Sequence, residues 1–115
     1  GQENAESVGT RQLSGIGGQM DFLEGAFRSK GGKGFICINS SRVTKDGQRK
    51  SNILATIPGG STISAPRTMI QYVATEYGIA SLSGKTLRER AEAMASIAHP
   101  DFREELLKYA RENFK

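Results

Sequence analysis

With 115 residues, 37% of them hydrophobic and 24% charged, the chain is long enough for one domain with a core that needs no staples, and too apolar for disorder. A single cysteine excludes an internal disulfide. No apolar run approaches membrane-spanning length and the polar start is no signal peptide, so a cytoplasmic protein with no membrane partner is expected.

The net charge of +4 is unevenly spread. Between residues 28 and 50, Arg28, Lys30, Lys33, Arg42, Lys45, Arg49 and Lys50 face Asp46 alone, a local +6. A polyanion or an anionic cofactor could meet such a patch. Only Phe35 is interleaved with the charges, so stacking on nucleic-acid bases is poorly supported, and a solvated hairpin is the plainer reading.

Residues 1–14 carry neither a helical nor a strand period and begin without methionine, which reads as a cut rather than a start. Next comes the stretch that looks built for chemistry, Gly15-Ile16-Gly17-Gly18-Gln19-Met20-Asp21-Phe22. Its glycines permit positive φ and leave the main chain open to a ligand. Asp21 followed by Glu24 predicts a capping box that starts a helix running from about Asp21 to Lys30, with Gly31-Gly32 ending it. Free N–H groups at a helix start suit an anion. Two carboxylates in the first turn would repel a phosphate, however, whereas a carbonyl oxygen that turns negative only during reaction could still use the Gly17 and Gly18 amides. The loop lacks the lysine of a P-loop and the spacing of a dinucleotide fingerprint, and a bare structural turn is the alternative.

A hairpin is predicted from Phe35 to about Thr44 and from Ser51 to Ile57, turning through Lys45-Asp46-Gly47-Gln48. Cys37, inside the apolar run Phe35-Ile36-Cys37-Ile38, reads as a buried, inert thiol. A short strand at Thr62 to Ala65 and a fourth at Met69 to Thr75, covered on both faces, follow. The latter ends at Glu76-Tyr77-Gly78. A carboxylate at a strand end before a glycine is either a working group or a turn cap; if desolvated, its pKa should rise unless a base such as Arg67 lies near. Thr86-Leu87-Arg88-Glu89 and Asp101-Phe102-Arg103-Glu104 both predict capping boxes for two amphipathic C-terminal helices. The only histidine, His99, falls between them before Pro100 and reads as a helix C-terminal residue facing the dipole. There is no metal-ligand spacing.

Five stretches in this order resemble the C-terminal domain of the acetyl-CoA hydrolase/transferase family: Gly1-Gln2 with Asn4-Ala5-Glu6-Ser7, Gly15 to Phe22, Thr75 to Ala80, Gly84-Lys85 with Leu87 to Ala91, and Ala98 to Arg103. The family includes 4-hydroxybutyrate and butyryl-CoA:acetate CoA-transferases. The resemblance implies a three-layer α/β domain of the CoA-transferase type, with a mixed or mostly parallel sheet and two C-terminal helices. It implies coenzyme A and acyl-CoA as substrates, a short-chain carboxylate as acceptor, no metal, and a homo-oligomer when full length. In the family a glutamate attacks the thioester and carries CoA as a glutamyl thioester. Gly15, Gly17 and Gly18 then map onto the thioester-facing loop, with Gln19 and Asp21 completing the motif. Glu76 maps onto an orienting or CoA-contacting glutamate, and Gly78 onto the glycine of the same Glu-x-Gly. The nucleophile lies upstream in the family, and Glu3 and Glu6 do not match its motif. The expectation is therefore an acyl-CoA-binding half that is inactive without the N-terminal half of the same enzyme. An acyl-CoA hydrolase, a non-enzymatic polyanion-binding module and an acyl-CoA sensor without chemistry are the alternatives.

Overall fold

The computed structural model describes residues 1–115. A small hairpin of β1 (Ser7–Val8) and β2 (Arg11–Gln12) precedes helix α1 (Gln19–Arg28). Strand β3 (Phe35–Cys37) follows, then the hairpin of β4 (Ser41–Val43) and β5 (Arg49–Ser51). Strands β6 (Tyr72–Thr75) and β7 (Gly78–Ser81) lead into α2 (Leu87–Ser96) and α3 (Pro100–Asn113).

The central sheet is mixed: β3 pairs parallel with β6, and β6 pairs antiparallel with β7. Register aligns Ile36, Val73 and Ala80 in one row across the three strands, and all three are buried. Alternation puts Phe35 and Tyr72 on the opposite face, where their rings stack at 4.9 Å. Leu23 from α1, Leu82 beyond β7, and Ile97 and Ala98 beyond α2 complete the core with Ile53, Ala65 and Ile70. α2 packs on both β7 and α3. Alanines at the buried positions of this packing, Ala95 in α2 and Ala110 in α3, let the elements approach closely.

The α/β class, the mixed sheet and the two C-terminal helices match expectation, while several local readings are corrected. The turn through Lys45-Asp46-Gly47-Gln48 is present, with Gly47 at φ +81, but it joins β4 to β5 only. β3 belongs instead to the parallel sheet, a pairing across more than thirty residues that no turn signal announces. The stretch from Thr62 to Ala65 forms no strand; Ala65 makes an isolated bridge with Glu3. The strand expected over Met69 to Thr75 is confined to Tyr72–Thr75, and of the expected run only Ile70 and Val73 are buried. Cys37 is exposed, because alternation in β3 turns Ile36 inward and its neighbours outward.

The helix starts also divide. Thr86 caps α2 as expected: its hydroxyl accepts from the Glu89 N–H, and the Glu89 carboxylate accepts from the Thr86 N–H at 2.7 Å. That carboxylate is held below its ordinary 4.5 by the Thr86 amide first and the Thr86 hydroxyl second. Thr86→Ala is expected to cost about 1 kcal/mol, read as a lower urea midpoint with an unchanged slope. For α3 the expected Asp101 capping box is absent. Pro100, with φ already set for a helix, occupies the first turn, so the cap moves back to His99, whose Nδ1 accepts from the Asp101 N–H. His99 thus begins a helix rather than ending one.

Candidate functional site

The glycine loop lies on the surface between β2 and α1. Gly17 takes φ +60, the left-handed conformation its sequence position suggested, while Gly18 is the N-cap of α1. The Asp21–Glu24 capping box does not form: α1 starts two residues earlier, no side chain caps it, and Glu24 pairs with Arg28 at 2.5 Å one turn on. The helix begins early because left-handed Gly17 turns the chain straight into it. One chemical consequence follows. No acceptor within the chain is bonded to any main-chain N–H from Gly15 to Asp21, so seven consecutive amides stand free at the positive end of α1. A Cβ added at Gly15 or Gly17 would meet no atom of the chain within 4 Å, so the space beside the loop is open.

Both sides of this loop are tied to residues 3–6. Ahead of it, the Glu6 carbonyl accepts from the Leu13 and Ser14 N–H groups at 2.8 and 3.2 Å, and the Gln12 amide donates to the Glu6 carboxylate at 3.2 Å. Behind it, Gln19 Nε2 donates to Glu3 Oε2 at 2.6 Å. Partial burial raises the pKa of Glu3, a tendency that the Gln19 bond opposes and the neighbouring Glu6 charge reinforces.

Glu76 occupies the tight turn between β6 and β7. Thr75 and Gly78 pair across that turn, and Gly78 takes φ +139, a conformation closed to residues with a Cβ. The Glu76 carboxylate is exposed and grips the buried Ser40 with both oxygens, accepting from its hydroxyl at 2.6 Å and its N–H at 2.9 Å. These bonds, the hydroxyl's first, hold its pKa below the ordinary 4.5; no upward shift from desolvation wins, and Arg67 plays no part. Because the folded pKa is depressed, the contribution of Glu76 to stability is present above about pH 4.5 and is lost as pH falls through the lower folded value. The melting temperature of Glu76→Gln should therefore lie below that of the parent near neutrality, with the gap closing under acid.

Beside this grip a cavity of about 340 Å³ opens at the C-terminal ends of β3 and β6, lined by Cys37, Ile38, Asn39, Ala74 and Thr75. Ligands of open α/β sheets gather at this end of parallel strands. A larger cleft, about 630 Å³ with apolar walls that include Ile53, Ile70 and Met94, is lined by none of Gly15, Gly17, Gly18, Gln19, Asp21, Glu76 or Gly78. Of the segment 3–6 that holds the loop, Glu3 and Asn4 reach it. No hydrogen bond joins Glu76 to the glycine loop: Glu76 is bonded to Ser40, and Gln19 at the end of the loop to Glu3. Ser40 and Glu3 were not among the predicted site residues; both act through partners more than fifteen positions away, and neither stands in a local motif.

The acetyl-CoA hydrolase/transferase C-terminal domain model matches residues 1–110. The chain belongs to that family. Butyryl-CoA:acetate CoA-transferase of Anaerostipes caccae is 49% identical over 110 residues, covering 96% of this chain and 25% of the relative. The 4-hydroxybutyrate coenzyme A transferase of Clostridium kluyveri is 46% identical, over 99% of this chain and 26% of its own length. Among solved structures, RipA from Yersinia pestis superposes with a TM-score of 0.82 at 38% identity, over 97% of this chain and 24% of that one. The chain thus spans about a quarter of the length of these relatives. No cluster of three or more His, Cys, Asp or Glu side chains is arranged to hold a metal ion, and no helix is long and apolar enough to cross a membrane.

Proposed function

We propose that this chain is the acyl-CoA-facing domain of a CoA-transferase exchanging CoA between a short-chain acyl-CoA and a carboxylic acid, with the nucleophilic glutamate supplied by the N-terminal half of the same enzyme. The observation that carries the reading is the run of unbonded amides from Gly15 to Asp21, in a chain 46–50% identical to relatives named as butyrate, acetate and 4-hydroxybutyrate CoA-transferases. The chemistry needs such a group twice. A glutamate carboxylate adds to the thioester carbonyl, the carbonyl oxygen becomes an oxyanion, and collapse expels the CoA thiolate and leaves an acyl-glutamyl anhydride. The thiolate then adds to the glutamyl carbonyl, expels the acyl carboxylate and leaves a glutamyl-CoA thioester. An acceptor carboxylate reverses both steps. The Gly17 and Gly18 amides supply donors for a charge that exists only at the tetrahedral stage. Asp21, in the first turn of α1, disfavours a standing dianion at the same spot.

Glu76, fixed by Ser40 and kept ionised, suits an orienting role better than that of a general acid, and Gly78 permits the turn that presents it. Exposed Val8, Leu13 and Phe22, the last 83% accessible, support covering of this face by the rest of the enzyme. Hydrolysis is the second reading; the relatives named acetyl-CoA hydrolase are less similar, at 32% identity in Kluyveromyces lactis. Labelled acetate and butyryl-CoA separate the two: the whole enzyme should yield labelled acetyl-CoA in step with butyrate. Free CoA formed without acetyl-CoA would establish hydrolysis. The isolated 115 residues should yield neither, and turnover by them would contradict the proposal.

A further inference from the structure

The glycine loop is suspended between two anchored points, and both lie on one short segment. Glu6 holds the residues before the loop through its carbonyl, and Glu3 holds the first residue of α1 through its carboxylate. The segment itself is fixed to the body of the fold. Glu3 N–H donates to the Ala65 carbonyl at 3.1 Å, and the Glu3 carbonyl accepts from Ser64 and Ala65 at 2.8 and 3.2 Å. Ala5 N–H donates to Ser64 Oγ at 2.9 Å, and Ser64 and Ala65 are both buried. The Asn4 side chain closes the inner turn by accepting from the Glu6 and Ser7 N–H groups at 3.1 and 3.0 Å. By contrast, the four residues from Gly15 to Gly18 donate no hydrogen bond to the chain, and Gly17 and Gly18 are the most permissive part of the path. Their orientation is therefore set by what holds their two ends.

We propose that Glu3 is a positioning residue for the glycine loop: through Gln19 it fixes the start of α1, and with it the direction in which the free amides from Gly15 to Asp21 point. This rests on the reading of that loop as the site of oxyanion stabilisation. Glu3 touches no reacting atom. Its contribution is to remove the freedom that Gly17 and Gly18 would otherwise have, so that the donors are aimed before charge develops. Gln19 can donate to Glu3 only while its side chain lies back toward residues 3–6, and the carboxylate offers it a charge-assisted acceptor in a partly buried place. Neither residue is interchangeable with an apolar one of similar size.

The test uses the whole enzyme carrying this domain. Glu3→Leu is expected to lower kcat about 10- to 100-fold, the scale of loss from misplaced groups, with KM changed less than about threefold. Glu3→Gln keeps an amide oxygen for Gln19 to donate to, and should retain kcat within a few-fold of the parent. Gln19→Leu should match Glu3→Leu, and the double variant should be no worse than either alone, since both break one tether. Hydrogen exchange gives a readout independent of turnover: the Phe22 amide, which donates to the Gly18 carbonyl at 3.2 Å in the first turn of α1, should exchange faster in Glu3→Leu while α2 and α3 are unchanged, and should not in Glu3→Gln. Unchanged exchange at the Phe22 amide in Glu3→Leu overturns the tether whatever the enzyme does. Additive losses in the double variant, or an equal fall in Glu3→Gln and Glu3→Leu, also overturn it. A parent enzyme that shows the exchange pattern but moves no CoA refutes the functional reading and leaves the tether standing. If Glu3→Leu does not fold, the Gln19→Leu and Glu3→Gln pair carries the same comparison.

Discussion

Replacing Gly17 by valine in the whole enzyme is expected to lower turnover by about two to three orders of magnitude, near 3 kcal/mol, the effect of losing one oxyanion donor. Crowding is not the cause, because a Cβ at this position would meet nothing within 4 Å. Conformation is. Gly17 sits at φ +60, where a β-branched residue is a steric outlier, and the chain escapes by rotating to negative φ. That rotation swings the Ile16–Gly17 and Gly17–Gly18 peptides relative to each other, so the Gly17 and Gly18 amides no longer point together into the open space beside the loop. The same change should cost the fold only about 1–2 kcal/mol, since the loop is exposed and donates no hydrogen bond to the chain. A large loss of turnover with a small shift in melting temperature is therefore the expected signature. Gly25→Ala serves as the control: this exposed helical glycine also has nothing within 4 Å of its added Cβ, and the change should leave turnover intact while stabilising α1 by up to about 1 kcal/mol. Gly17→Val with parental turnover would remove the loop from the chemistry.

The largest effect on stability is expected at Leu82, whose side chain is wholly buried at the end of β7. It packs in the core with Ala80, Ile97 and Ala98, where the sheet meets the C-terminal helices. Its N–H donates to the Gln71 carbonyl at 2.8 Å and its carbonyl accepts from Arg90 at 2.7 Å, so the backbone cannot move inward to close a gap. Leu82→Ala should then cost at the upper part of the usual range, about 3–5 kcal/mol. In a domain of this size that is a fall in melting temperature of roughly 10 °C or more. Calorimetry on the domain measures it directly; a fall under about 1 kcal/mol would show that the site collapses freely, against the anchoring described.

What the sequence disclosed follows the range of the forces involved. The Thr86–Glu89 capping box, the Asp46-Gly47 turn and the left-handed Gly17 are decided within four residues, and each is found where the residues place it. The parallel partnership of β3 with β6 is decided by burial of Ile36 against Val73, and no local pattern distinguishes it from a hairpin strand. Asp21 and Glu24 have cap-forming chemistry, yet the backbone turn at Gly17 moves the helix start ahead of them. His99 and Pro100 show the same competition, with proline's fixed φ outranking the acidic residue after it. Within the site, Glu76 was legible as a carboxylate at a strand end, but its charge state was not. The group that sets it is Ser40, thirty-six positions away and marked by nothing in its own neighbourhood. Glu3 and Gln19 meet in the same way, across sixteen positions.

In the proposed division of labour, this chain supplies aimed amides and an orienting carboxylate while the attacking glutamate comes from elsewhere in the enzyme. Incubating the whole enzyme with acyl-CoA, reducing the resulting glutamyl thioester with borohydride and mapping the modified peptide tests it in one step. A single reduced glutamate outside residues 1–115 is expected, with the peptide containing Glu76 unmodified. Reduction at Glu76, or at Glu3 or Glu6, would place the nucleophile in this domain and overturn that division.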